Sequence, residues 1–327
     1  MTVKIEEIDI LRGIAILLVL IGHMIPWEGM GHNIIYSFHV PLFFFISGFL
    51  FPETIDDVRF AIRKNAKRLL FPYIVTVSFI AGIAAIKAVL LYDWMEIPKM
   101  LLSYLWGGNI YKVECLPLGP IWFLLALFWA KSIMVIVIRY VQTEYVPLSV
   151  LTITIAGFAL NNYKEYVPFQ LITAMQGVIF VGMGWYMRYR RFPMWFEIFA
   201  VIVWIAMIFY GKMDVYMGDY SYPPLNIVGA FGAFYVLKKL CYLSLKLPGW
   251  IISPLVWVGQ NSLYFLCCHQ VECFSGFCIS AWIQWQIHYF FPNPLHYIIH
   301  LSINTAMVGV CVLFEQALSR THKILKK

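Results

Sequence analysis

The chain has 327 residues, of which 61% are hydrophobic, 18% aromatic and only 13% charged, and its mean hydropathy is +0.76. These values exclude an ordinary soluble globular domain and predict an all-α polytopic integral membrane protein. The net charge of +7 falls mostly in short connections beside apolar stretches, so it reads as a topology signal and excludes a nucleic-acid role.

Stretches near 8–27, 33–52, 69–91, 119–140, 145–161, 169–187, 194–211, 223–237, 255–279 and 297–318 each approach the ~20 residues a helix needs to cross a ~30 Å hydrocarbon core, so about ten transmembrane helices are expected. The connections alternate in basic content. One set holds Arg59, Arg63, Lys64, Lys67 and Arg68, then Arg139, then Arg188, Arg190 and Arg191, then Lys238, Lys239 and Lys246. The other holds only Lys99, Lys112, Lys164 and Lys212. Cytoplasmic loops are the basic ones, which places both termini in the cytoplasm. No internal repeat and no long extramembrane loop is apparent, so residues 1–327 read as one membrane domain without an appended soluble domain.

The first segment carries Asp9, Arg12 and His23. At ~100° per residue the eleven steps from Arg12 to His23 return to nearly the same helix face, and Asp9 falls on it too. The segment has no small-residue cleavage site, which predicts a retained helix rather than a signal peptide. His23 suits a general base that deprotonates a hydroxyl for attack on an acyl group, or a hydrogen-bonded interfacial histidine. Arg12 suits an anionic ligand arriving from the cytoplasm, or an orienting pair with Asp9.

The second segment contains FHVPLFFFISGF. His39 is expected at a depth comparable with His23, either flanking the same reacting centre or bonding a carbonyl that Pro41 frees. Arg63, Lys64, Lys67 and Arg68 follow on one helix face, as a topology and anionic-lipid signal or as a phosphate cradle. The connection 92–118 has Trp106, Gly107 and Gly108, which suits an interfacial lid or an aromatic-belt loop.

Trp122 suits stacking on an adenine, an acyl-thioester arm or a sugar, or an interfacial anchor. Lys87 and Lys131 read as paired or snorkelling cations. The connection bearing Asp214, Asp219, Tyr220 and Tyr222 suits a carbohydrate acceptor. Asn261, His269 and Glu272 share the ninth segment, the last two at an orienting spacing. His296, His300 and Asn304 form a polar stripe in the tenth. Cys267, Cys268, His269 and Cys273 match no standard zinc spacing, so no metal is expected, and the seven cysteines read as buried thiols.

Asp9, Arg12, Gly13 and His23, then FHVPLFFFISGF, KRLLFPY, GPIWFLLALF and GQNSLYFLCCH occur in that order between residues 9 and 269. Together they resemble the acyltransferase-3 family, in particular its short fucose-4-O-acetylase-like branch of bacterial glycan O-acetyltransferases. The resemblance implies a ten-helix enzyme of the bacterial cytoplasmic membrane. It takes an acetyl group from acetyl-CoA, without a metal, and places it on a sugar hydroxyl of a cell-surface polysaccharide or its lipid-linked precursor. Arg12 and His23 match the family's first-helix pair. The basic motif departs from two arginines separated by two residues, because Asn65 stands three before Arg68.

The resulting expectation gives catalysis to His23, Arg12 and His39. Acetyl-CoA binding falls to Arg63, Lys64, Lys67, Arg68 and Trp122, and acceptor binding to Asn261, His269, Glu272 and His300. Polysaccharide-assembly machinery is a candidate partner, and no sequence feature specifies an oligomeric state. The alternative activity is secondary transport of a small metabolite with His23 and His39 as proton relays, although the repeats common in transporters are absent.

Overall fold

The structure, a computed structural model, describes residues 6–25, 29–91, 96–108, 118–274 and 294–325. The readings made for Lys112 and Cys115, and for the side chains of Lys87, Cys273 and His296, lie outside the described residues.

The described chain is helical except for one hairpin. Helix α1 (Glu6–Gly22) starts with Glu6, Glu7 and Asp9 in its first turn, where carboxylates complement the helix dipole. Helices α2 (Met30–Tyr36) and α3 (His39–Phe49) follow, then α4 (Val58–Leu91) and α5 (Glu96–Trp106). A 3₁₀ turn at Gly119–Ile121 leads into α6 (Trp122–Tyr140). Next come α7 (Val146–Ala159), α8 (Leu171–Tyr189) and α9 (Met194–Tyr210). The hairpin pairs β1 (Met213–Asp214) with β2 (Asp219–Tyr220) antiparallel, Met213 opposite Tyr220 and Asp214 opposite Asp219. Helices α10 (Pro223–Ser244), α11 (Gly249–Gln260), α12 (Ser262–Phe274) and α13 (Pro294–Leu325) complete the fold.

Helices occupy each of the apolar stretches read from the sequence. Four of them are long and apolar enough to cross a membrane alone: α4, α6 with its leading turn, α10 and α13. The pair α11–α12, bent by 69° at Asn261, makes a fifth. The remaining helices are shorter or more polar. The stretch 33–52 is two helices, broken at Ser37 and Phe38. The outward faces are apolar, with Phe71, Ile74 and Phe79 on α4, Trp195 and Ile202 on α9, and Leu313 and Phe314 on α13 all exposed. In water such a surface would be a severe liability, whereas in lipid it is the expected exterior.

Two crossings fix the helices that carry the polar stripe. A Cβ on Gly13 would strike the carbonyl of Leu255, and one on Gly259 would strike the carbonyl of Asp9, so α1 and α11 touch backbone to backbone. Gly48 and Gly184 do the same for α3 and α8 against the carbonyls of Val181 and Phe45. Small residues permit such approach, and within a bilayer close van der Waals packing is what holds helices together. The run Phe43, Phe44, Phe45 fills the interior beside these crossings. Phe45 stacks on Phe234 with ring centroids 4.9 Å apart and meets Phe180 edge-on at 5.3 Å.

Candidate active site

Next to α1 lies a cavity of about 640 Å³. Arg12, Arg68 and Lys131 line it together, as do His23, His39 and Tyr36. Helix geometry separates the two groups, because the eleven residues from Arg12 to His23 span ~16 Å along α1. Lys131 lies within the electrostatic reach of Arg12 and Arg68, and His39 within that of His23. The walls between are apolar, including Ile16, Val19, Phe123 and Leu127.

At the cation end, Asp9 Oδ1 pairs with Arg12 Nη1 at 3.1 Å, while its Oδ2 accepts from Gln260 Nε2 at 3.1 Å. Gln260 ends α11 at the bend, so one carboxylate ties the stripe of α1 to the α11–α12 break. Lys131 rests over the Phe51 ring, 5.6 Å from its centroid. Among the described residues lining the cavity, Asp214 alone is acidic, and it stands with Tyr36 near the histidine end. The cation end therefore carries a surplus of positive charge, which favours an anionic ligand. Of the expected basic cluster, Arg68 reaches the cavity and Arg63, Lys64 and Lys67 lie outside its lining; all four are exposed on α4, and Asn65 is buried.

At the histidine end, His23 follows the last turn of α1, its amide donating to Val19 O at 3.2 Å. Although deep among its neighbours, His23 keeps accessible surface because it faces the cavity. His39 Nδ1 donates to Ile35 O at 2.8 Å, so the neutral ring keeps its lone pair on Nε2. The carbonyl it bonds is that of Ile35, not that of Ser37, which Pro41 leaves without its helical donor, and the ring lines the same cavity as His23. Its ring meets Tyr36 edge-on at 4.6 Å.

Trp122 lines the cavity at the start of α6, tilted against Tyr216 with centroids 5.2 Å apart. Gln270 of α12 holds the turn before it, accepting from Ile121 N at 3.1 Å and donating to Leu118 O at 3.0 Å. The hairpin contributes Met213 to Met217 to the lining. It is pinned by Lys164, whose ammonium donates to Met217 O and to Tyr216 O (3.3 Å), and by Asn161, which donates to Gly218 O at 3.3 Å. Burial lowers the pKa of that ammonium from its ordinary value.

The four residues expected to bind the acceptor are outside the cavity lining. Asn261 Nδ2 donates to Trp257 O at 2.8 Å and caps α11 at the bend. His269 packs behind His23, ring centroids 5.2 Å apart. His300 Nε2 lies 3.2 Å from His269 Nδ1, and His300 Nδ1 lies 3.0 Å from Glu272 Oε2. These three are buried, and they place potential metal-ligating atoms within 4.8 Å of one another.

Sequence reasoning passed over Gln260, Gln270 and Tyr216, and it read Lys131 as a paired or snorkelling cation rather than a part of the site. Lys131 gave a signal, a cation nine residues into an apolar helix, but its partners come from α1 and α4 and no local spacing reveals them. The two glutamines stand in α11 and α12 with no motif to mark them.

No curated protein and no solved structure matches the chain at a significant level. The profile of the acyltransferase-3 family, described as an acyltransferase domain, matches residues 5–314. That span takes in every residue of the cavity just described, and the chain belongs to the acyltransferase-3 family.

Proposed function

We propose that this acyltransferase moves an acetyl group from acetyl-CoA to a sugar hydroxyl of a cell-surface polysaccharide or its lipid-linked precursor. The observation that carries this reading is the single cavity with cations at one end and two histidines at the other. Arg12, Arg68 and Lys131 bind the phosphates of the donor, and Arg63, Lys64 and Lys67 extend the positive field toward the cytoplasm. The apolar walls suit the extended pantetheine arm, with Trp122 beside its far end. The donor supplies an activated thioester.

His23 then acts as general base. It accepts the proton of the sugar hydroxyl as that oxygen attacks the thioester carbonyl carbon. When the carbon–sulfur bond breaks, the departing thiolate takes the proton back from His23, so the histidine ends as it began. His39 Nε2, an acceptor, holds a neighbouring hydroxyl of the sugar, and Tyr36, Asp214 and Tyr216 receive the sugar at the hairpin mouth. This path fits about ten membrane-spanning segments with both termini cytoplasmic in a bacterial inner membrane, where the basic connections face the donor pool.

The test compares the surface glycan of cells carrying the native chain with that of cells carrying His23→Ala at equal level, by NMR of the intact polysaccharide. Loss of O-acetyl signals with an unchanged sugar backbone is expected. Unchanged acetylation would contradict the role of His23, and a missing or shortened glycan would point to export or transport.

A further inference from the structure

Behind His23, away from the cavity, stands a line of three buried polar side chains from two helices, α12 and α13. His300 is the centre of it. Its Nδ1 faces the Glu272 carboxylate at 3.0 Å and its Nε2 faces His269 Nδ1 at 3.2 Å. Asn304 Nδ2 approaches the same Nε2 at 3.4 Å and also donates to His300 O at 3.0 Å. All four side chains are buried, none more than 1% exposed.

The chemistry of these groups fixes the direction of the hydrogen bonds. An ionised carboxylate only accepts, so His300 carries its proton on Nδ1. An amide NH₂ only donates, so His300 Nε2 is an acceptor. His269 must then donate from Nδ1, which leaves the lone pair of neutral His269 on Nε2. The His23 and His269 rings are in contact, 5.2 Å apart centroid to centroid and tilted by 39°, without a hydrogen bond between them in this arrangement.

We propose that Glu272, His300 and His269 form a buried positioning relay that sets the tautomer of His23. A turn of the His23 ring within its contact brings its N–H onto His269 Nε2, so the other nitrogen of His23 presents its lone pair to the cavity. The relay rests on the reading of His23 as the base, and it explains why a base in an apolar channel faces the substrate in the productive form. When His23 takes the hydroxyl proton, the Glu272 charge at the far end of the line stabilises the imidazolium through two polarised rings. No proton leaves the line.

The same three residues are close enough to tempt a metal assignment. The contacts favour the relay. The His300 ring lies between its partners with one nitrogen committed to each, whereas a tetrahedral zinc site needs ligand atoms at ~2.0–2.2 Å around one common point.

The test reads the nucleophilicity of His23 directly, without any donor. Purified protein in detergent is treated with diethylpyrocarbonate, and carbethoxylation of the His23 and His39 peptides is followed by mass spectrometry. In Glu272→Gln the amide can donate as well as accept, so the direction of the line is no longer imposed. The relay predicts His23 modification roughly 10-fold slower in Glu272→Gln and in His300→Gln, no further slowing in the double variant, and partial recovery in Glu272→Asp. His39 modification stays at the native rate, which shows that the cavity is intact.

An unchanged His23 rate in Glu272→Gln or His300→Gln overturns the relay, as do additive losses in the double variant. Stoichiometric zinc in the native protein that disappears in His300→Gln would replace the relay with a metal site. The base reading fails on a different result, acetyl transfer surviving in His23→Ala.

Discussion

The residues at the cation end make the most specific claims. Arg68 and Lys131 come from α4 and α6 and meet Arg12 on one cavity wall. A charge-assisted hydrogen bond to a phosphate contributes about 2 kcal/mol, roughly 30-fold in affinity. Arg68→Ala and Lys131→Met are each expected to weaken acetyl-CoA binding by about that factor, measured on purified protein by calorimetry. Lys64→Ala, outside the cavity lining, is expected to change it by less than about 3-fold, since exposed pairs contribute under ~1 kcal/mol. Equal losses at Lys64 and Lys131 would move the anion site out of the cavity. Much of this site was legible as residues and little of it as geometry. Arg12 and His23 stand out because a titratable side chain in an apolar helix is expensive. The spacing of His269 and Glu272 and the stripe through His300 were visible separately. That α12 and α13 face each other and place these groups beside His23, outside the cavity lining, depends on packing that no local spacing encodes.

Among the elements, the glycines of the recurring motifs have a mechanical reason. Gly13 and Gly259 are where α1 and α11 touch, and any side chain there meets a carbonyl. Gly13→Val or Gly259→Val is expected to cost about 3 kcal/mol or more through overpacking, seen as a lowered Tm and loss of the monodisperse peak in detergent. Gly82→Ala, on α4 with open space around its Cα, is expected to leave Tm unchanged or raise it. Equal damage at positions 13 and 82 would refute the close crossing. The apolar stretches announced the helices, since mean hydropathy over ~20 residues is a strong signal. Where they break was less legible. The bend at Asn261 and the break at Ser37 and Phe38 coincide with tertiary contacts: Gln260 reaches Asp9, Gln270 reaches the turn before Trp122, and Trp204 donates to Ser37 Oγ and meets the Phe38 ring edge-on.

For the molecule as a whole, donor and acceptor entering one cavity from opposite ends require a sided membrane protein. The basic connections beside α3–α4, α6–α7, α8–α9 and α10–α11 belong on one face, and the hairpin mouth with Asp214 and Tyr216 on the other. A fluorescent protein fused after Lys327 is expected to fluoresce, and a periplasm-dependent alkaline phosphatase inserted at Lys212 is expected to be active. The reverse pattern would put the donor end on the wrong side.

The cavity makes one claim above all, that the donor is held at the cations and the chemistry is done at the histidine. Acetyl-labelled acetyl-CoA supplied to native membranes, which carry the natural acceptor, measures both at once. His23→Ala is expected to lower kcat at least about 100-fold with KM for acetyl-CoA nearly unchanged, and Arg68→Ala to raise KM with a smaller change in kcat. Transfer at the native rate in His23→Ala, or a loss of kcat alone in Arg68→Ala, would contradict that claim.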